Sequence, residues 1–194
     1  MKIYMIRHGA TKGNREHRYV GVTDEPLLPE EKKELQSRRM PPVARVYSSP
    51  RKRCVETAQI CYPKKQLEIV EEFAECDFGI FEYRNYEELN GNPDYQRFID
   101  SMGKSGFPGG EDREVFQKRC LQGLEKIMKR ERRHQEDIAF VVHGGTIMAL
   151  LDGYSRPHGD YYNWQVENGA GYEAEVLWEE SDSNFYLENI KKLF

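Results

Sequence analysis

No apolar run in the 194-residue sequence approaches the ~18 residues a membrane-crossing helix needs. The opening Met1-Lys2-Ile3-Tyr4-Met5-Ile6-Arg7 is too short in apolar residues to be a secretory leader, and no small-residue cleavage site follows. Strong charge of either sign is missing too. Lys and Arg number 29 against 33 Asp and Glu, a net −4, which gives no support to general nucleic-acid binding. The four cysteines, Cys54, Cys61, Cys76 and Cys120, include no CxxC pair and no metal-finger spacing, so inert buried thiols are expected. Internal repeats and low-complexity segments are also absent. These absences leave a cytoplasmic globular chain as the expectation, with no membrane and no nucleic-acid partner.

What is present suits a packed core. Hydrophobic residues make up 38% and aromatics 12%, which excludes wholesale disorder. A chain of this length buries about 70% of its unfolded surface and needs no disulfide or metal staple. One domain over residues 1–194 is expected, with a small helical insertion at about 80–110.

Lys2 to Arg7 and the nearly pure apolar Ile138–Val142 read as buried strands, and Ala44–Ser48 and Leu67–Val70 as two further strands. Residues 29–39 read as an exposed helix with Pro29 in its first turn. Ser49-Pro50 has the grammar of a helix start, a hydroxyl cap before proline, with Pro63 as the stop. Asn92-Pro93 opens another short helix by the same rule. From Glu111 a long helix runs to about His134, with Phe116, Cys120, Leu124, Ile127 and Met128 on one face and a solvated basic end. A further helix follows His143 through Leu151, and Tyr172–Trp178 and Asn184–Asn189 are closing strands. Strands separated by helices predict a three-layer α/β/α fold with a mainly parallel central sheet. In such sheets ligands bind beyond the carboxyl ends of the strands. His8 and His143 both fall there.

Four segments at those ends carry chemistry. Arg7-His8-Gly9 sets a permanent cation beside an imidazole, and the cation favours the neutral, nucleophilic form. Ser48-Ser49-Pro50-Arg51-Lys52-Arg53 places three cations where the helix dipole prefers anions, a conflict that an anionic ligand would resolve. Glu75 lies among apolar residues, which raises a carboxyl's pKa and lets it hold a proton. Val142-His143-Gly144-Gly145 turns a core strand into a helix through two glycines, which suits an anion site. Singly, each also reads as an ordinary structural feature. Together they supply two histidines, two or three arginines and one acid, the inventory of phosphoryl transfer through a phosphohistidine.

In order, these segments resemble the histidine phosphatase superfamily, with its phosphoglycerate mutase-like fold, across nearly the whole chain. The family's RHG-x-T-x-x-N is similar to Arg7, His8, Gly9, Thr11 and Asn14, and its G-x-x-D-x-P-L to Gly21, Asp24, Pro26 and Leu27. Ser48, Ser49, Arg53, Thr57 and Ala58 resemble its serine-rich helix start. Glu75, Asp77, Phe78, Gly79, Phe81 and Glu82 resemble its acidic segment, and His143-Gly144-Gly145 its late HGG. The resemblance implies that His8 is the nucleophile and Glu75 the general acid and base. It implies that Arg7, Asn14, Arg53, His143 and Gly144 bind the phosphoryl group, with no metal and no cofactor. Arg51, Cys54, Lys32 and Tyr83 depart from the pattern, the last standing where a glycine is usual.

The expected activity is a metal-independent phosphomonoesterase acting on a small phosphorylated metabolite. The stretch from Glu75 to His143 is short for a cofactor-dependent phosphoglycerate mutase. The segments 85–90 and 107–111 resemble α-ribazole phosphatases. Four alternatives stand beside the general reading: α-ribazole 5'-phosphate as the specific substrate, a mutase, a metal-dependent hydrolase using His8, His143 and Glu75 as ligands, and a non-catalytic phosphate-binding module. Tyr161, Tyr162 and Trp164 read either as an aromatic wall for an organic leaving group or as a satellite hydrophobic cluster. Gly103 to Gly110 reads as a lid or as a plain connection.

Overall fold

The computed structural model describes residues 1–179 and 184–194. Asn184, the expected start of the last strand, is among them; that strand begins one residue later. Six strands form one sheet: β1 (Lys2–Arg7), β2 (Arg45–Ser48), β3 (Leu67–Ile69), β4 (Ile138–Val142), β5 (Gly171–Trp178) and β6 (Phe185–Leu193). Their order is β3-β2-β4-β1-β5-β6. Pairings among β3, β2, β4 and β1 are parallel, and β5 and β6 add an antiparallel edge. This is the expected mainly parallel α/β architecture.

Burial on both faces explains the composition of the middle strands. All five residues of β4 are fully buried, as a strand covered by helices on two sides must be. On one face, β4 and β1 present Ile138, Phe140, Val142, Ile3 and Met5 to the larger core. The helices α6 (Arg113–Glu131) and α7 (Gly144–Tyr154) cover it with Phe116, Cys120, Leu124, Ile147 and Leu150. The alternate residues Tyr4, Ile6, Ala139 and Val141 face Cys54 and Ala58 on α3 (Lys52–Cys61) and Tyr62 just after it. The short α1 (Lys12–Arg15) and α2 (Pro29–Ser37) precede β2, and α2 contacts α3. Between β3 and α6 lie α4 (Tyr86–Leu89) and α5 (Pro93–Asp100), within the span expected to hold helical elements.

Two local expectations are corrected. Helix α3 starts at Lys52 with Arg51 at its cap position, not with Ser49 as cap. Asp24 Oδ1 accepts from the Lys52 amide at 2.7 Å instead, so a remote carboxylate serves the helix start, while the Ser49 hydroxyl accepts from the amide of the cap residue Arg51 at 3.3 Å. The basic end of α6 is not uniformly solvated. Glu131 is buried and accepts from the Tyr47 hydroxyl at 2.7 Å, while also pairing with Arg45. Tyr83, which stands where the resembled pattern usually has a glycine, takes the left-handed conformation (φ 58°) that favours glycine. Arg18 stacks on its ring at 5.2 Å, and its amide donates to the Tyr19 carbonyl at 2.8 Å.

Candidate active site

Strand register builds the site. In the parallel β1·β4 pair, Arg7 lies opposite Val142, so the next residues, His8 and His143, leave the sheet side by side. Their ring centroids are 5.1 Å apart at 69°. The β2·β4 pair sets Ser48 opposite Val141, which brings Ser49 to the same edge. Its hydroxyl pairs with His143 Nε2 at 2.7 Å, the role that replaces helix capping.

His8 is buried, and its Nδ1 lies 2.7 Å from the Gly9 carbonyl. A carbonyl can only accept, so Nδ1 carries the hydrogen and the Nε2 lone pair is free. Burial, followed by the charges of Arg53 and Arg7, holds the His8 pKa well below the usual imidazole value. Burial, Arg53 and His8 do the same to His143. Both rings are therefore neutral at pH 7. The Cys54 thiol touches His143 at 3.5 Å, and burial raises its pKa far above the ordinary thiol value, which makes it an inert packing group.

Arg53 is fully buried. It donates to the carbonyls of Thr23 (2.8 Å), Val20 (3.0 Å) and Gly21 (3.0 Å). A side chain at Gly21 would collide with the Cys76 carbonyl, so glycine is required for this close approach. Arg7 donates to the Val166 carbonyl at 2.7 Å. The Nε atoms of both arginines are buried and lack a hydrogen-bond partner. Among the described residues, neither has a carboxylate within ion-pair distance. A buried cation so placed is costly unless an anion completes it.

Glu75 comes from the loop after β3. Its Oε1 accepts from the Cys76 amide at 2.9 Å. Desolvation raises its pKa, against the opposing pull of the Cys76 amide, Arg53, Arg7 and the Gly145 amide. A β-carbon at Gly145 would lie 2.6 Å from Glu75 Oε1 and 3.2 Å from Phe116, so the second glycine after His143 is what lets the helix start approach the carboxyl. Gly144 sits beside Arg7, with its open Cα face 3.5 Å from Arg7 Nε in the same construction.

Asn14 is brought only to the margin. Its Oδ1 accepts from the Thr11 amide (3.1 Å) and from Asn168 Nδ2 (3.2 Å), within the capping box of α1. Sequence reading missed Asn168, which also donates to the His8 carbonyl at 3.1 Å. Its one local signal is the Asn168-Gly169 turn pair. Gln165 was missed too. It lines both cavities that open onto Glu75. Of the aromatic trio, Tyr161 and Tyr162 line one of those cavities. Trp164 instead packs on Tyr172, with ring centroids 5.7 Å apart. Among the described residues, no three His, Cys, Asp or Glu side chains form a metal-holding group, and no helix is long and apolar enough to cross a membrane.

The sequence also has known relatives. Phosphoserine phosphatase 1 of Hydrogenobacter thermophilus is 30% identical over 160 residues, covering 77% of this chain and 74% of that protein. A Bacillus subtilis protein described as the uncharacterized phosphatase PhoE is 29% identical over 193 residues, covering 94% and 93%. The fold matches a crystal structure of the α-ribazole phosphatase from Shigella flexneri with a TM-score of 0.79 at 21% identity, over 96% of this chain and 94% of that one. Residues 3–183 match the family model of the histidine phosphatase superfamily (branch 1), and the chain belongs to that family.

Proposed function

We propose that the protein is a metal-independent phosphomonoesterase that hydrolyses a small organic phosphate ester in two steps. The observation that carries this reading is the pair of guanidiniums, Arg7 and Arg53, set without carboxylate partners around a neutral imidazole whose Nε2 lone pair is free. In the first step His8 Nε2 attacks phosphorus and the P–O bond to the alcohol breaks. Glu75 gives its proton to the departing oxygen, and the alcohol leaves. Arg7, Arg53 and His143 hold the phosphoryl oxygens, with Asn14 and the Gly144 helix start at their edge. In the second step the Glu75 carboxylate takes a proton from water, which attacks phosphorus. The P–N bond breaks, releasing phosphate and free His8.

The test is phosphate release from a panel of monoesters that includes α-ribazole 5'-phosphate, phosphoserine, sugar phosphates and 3-phosphoglycerate. Hydrolysis that persists in a chelator is expected. Loss of activity on chelation would favour the metal-dependent alternative, and phosphate moved between hydroxyls without release would favour a mutase. Binding with no turnover of any ester would leave only a phosphate-binding module.

The pKa directions set a pH profile. His8 acts as the free base, and its lowered pKa keeps it so to below pH 6.5. Glu75 acts as the acid, and its raised pKa keeps the proton above pH 4.5. For an alkyl phosphate, kcat/KM is therefore expected to be bell-shaped. The rising limb belongs to His8 losing its proton and the falling limb to Glu75 losing its own. A rate that climbs steadily through pH 8 would contradict the assignment.

A further inference from the structure

We propose that the cavity opening beside Glu75 receives the alcohol portion of the substrate, that it selects flat apolar ring systems over small polar alcohols, and that Arg113 is a specificity-determining residue in it. This rests on Glu75 being the group that protonates the leaving oxygen. The cavity holds about 420 Å³, within the size range of small-molecule sites. Its polar side-chain groups are Glu75, Gln165, Arg113, the Cys76 thiol and three tyrosine hydroxyls, of which those of Tyr161 and Tyr162 are already donated to backbone carbonyls, and the rest of the lining is largely aromatic or aliphatic.

One wall is rigid before any ligand arrives. Tyr19 sits amid Phe78 (5.2 Å between ring centroids), Phe98 (6.4 Å) and Phe107 (6.2 Å), mostly edge to face. Phe98 and Phe107 also meet at 4.7 Å. A second wall is apolar yet uncovered by protein. Helix α5 has no fully buried residue, and Ile99 and Met102 are 48% and 68% exposed while lining this cavity. The wall is nonetheless tied down, because the Tyr162 hydroxyl donates to the Met102 carbonyl at 3.1 Å.

Arg113 closes the argument. Its guanidinium carbon lies 3.9 Å above the Tyr161 ring and 5.3 Å from that of Tyr162. Among the described residues it makes no ion pair and no side-chain hydrogen bond, so a planar cation is held at the cavity wall by its contact with the tyrosine rings alone. A ring offers such a cation and such walls a π face. A glyceryl or seryl group would lose water from its hydroxyls with few partners to replace it. The occupant is therefore an aromatic alcohol esterified to the phosphate.

The experiment compares 1-naphthylmethyl phosphate, cyclohexylmethyl phosphate and glycerol 1-phosphate. All three esters carry primary alkyl alcohols of similar acidity as leaving groups, which limits the contribution of leaving-group acidity. The naphthylmethyl ester is expected to have kcat/KM at least ~30-fold above glycerol phosphate, chiefly through KM, with the cyclohexyl ester between. Arg113→Met is expected to lower the naphthylmethyl-to-glycerol ratio about tenfold, and Arg113→Lys to restore only part of it, because the charge returns without the plane. Met102→Ser, at an exposed position, is expected to lower the same ratio with the fold intact. Equal kcat/KM for all three esters would overturn the pocket while leaving hydrolysis standing. Cyclohexyl equal to naphthyl would overturn the preference for flat rings. Should no ester turn over, the hydrolytic reading fails. Calorimetric binding of 1-naphthylmethylphosphonate against methylphosphonate then decides the pocket, with at least ~tenfold tighter binding expected and equal binding overturning it.

Discussion

His8→Ala is expected to abolish hydrolysis, by on the order of 10⁴-fold or more, with the fold unchanged. The chemistry follows from the ring's surroundings. Its Nδ1 hydrogen goes to the Gly9 carbonyl and its pKa is depressed by burial and by two arginines, so Nε2 is a permanent lone pair at neutral pH. No other side chain in the site can take its place. His143 has Nε2 engaged with Ser49 and a thiol against the ring. The structural cost is modest, because the His8 side chain makes one hydrogen bond, to its own neighbour, and its ring contact is with His143. About 1–2 kcal/mol of stability is at stake, from one hydrogen bond and a small void. Three measurements check this: phosphate release, thermal unfolding, and an acid-quenched reaction with labelled ester. The wild-type protein should carry an acid-labile, alkali-stable label on His8, and the variant should carry none. Wild-type turnover without such a label, or a variant that still turns over, removes the covalent mechanism.

Glu75→Gln should slow hydrolysis of alkyl phosphates by ~10²–10³-fold. Glutamine keeps the shape and the oxygen that accepts from the Cys76 amide, but has no proton to give at neutral pH. The sharper signature is its dependence on the leaving group. With 4-nitrophenyl phosphate the departing anion needs no proton, so the variant should release one equivalent of nitrophenol in a rapid burst. Slow turnover follows, because water must then attack the phosphohistidine without its base. The alkaline limb of the pH profile should also disappear. Equal losses of the first step for good and poor leaving groups would show that Glu75 is not the acid.

Arg113 illustrates why much of the site escaped sequence reading. It sits at the first turn of α6, where its neighbours in the chain give it no chemical context. Only the packing of α6 against the Tyr161–Trp164 turn sets its guanidinium on Tyr161. Asn168 is the same kind of case, more than 150 residues from the His8 carbonyl it supports. Ser49 was legible as a residue of interest but was given the wrong partner. A hydroxyl before a proline signals a helix cap from local propensity alone, whereas the β2·β4 register turns it toward His143.

By itself, the sequence determined the architecture and the chemical inventory. Alternating apolar strands and amphipathic helices admit few arrangements other than a covered parallel sheet. The residues at the strand ends carry their functional groups wherever they are placed. The tertiary structure decided which strands are neighbours, and hence that His8 and His143 stand 5.1 Å apart. It also decided that Arg53 is buried with no ion-pair partner among the described residues, and that an aromatic cavity opens beside Glu75. The physical reason is one of range. Propensity and periodicity act over a few residues, whereas register, burial and desolvation arise from contacts between segments far apart in the chain.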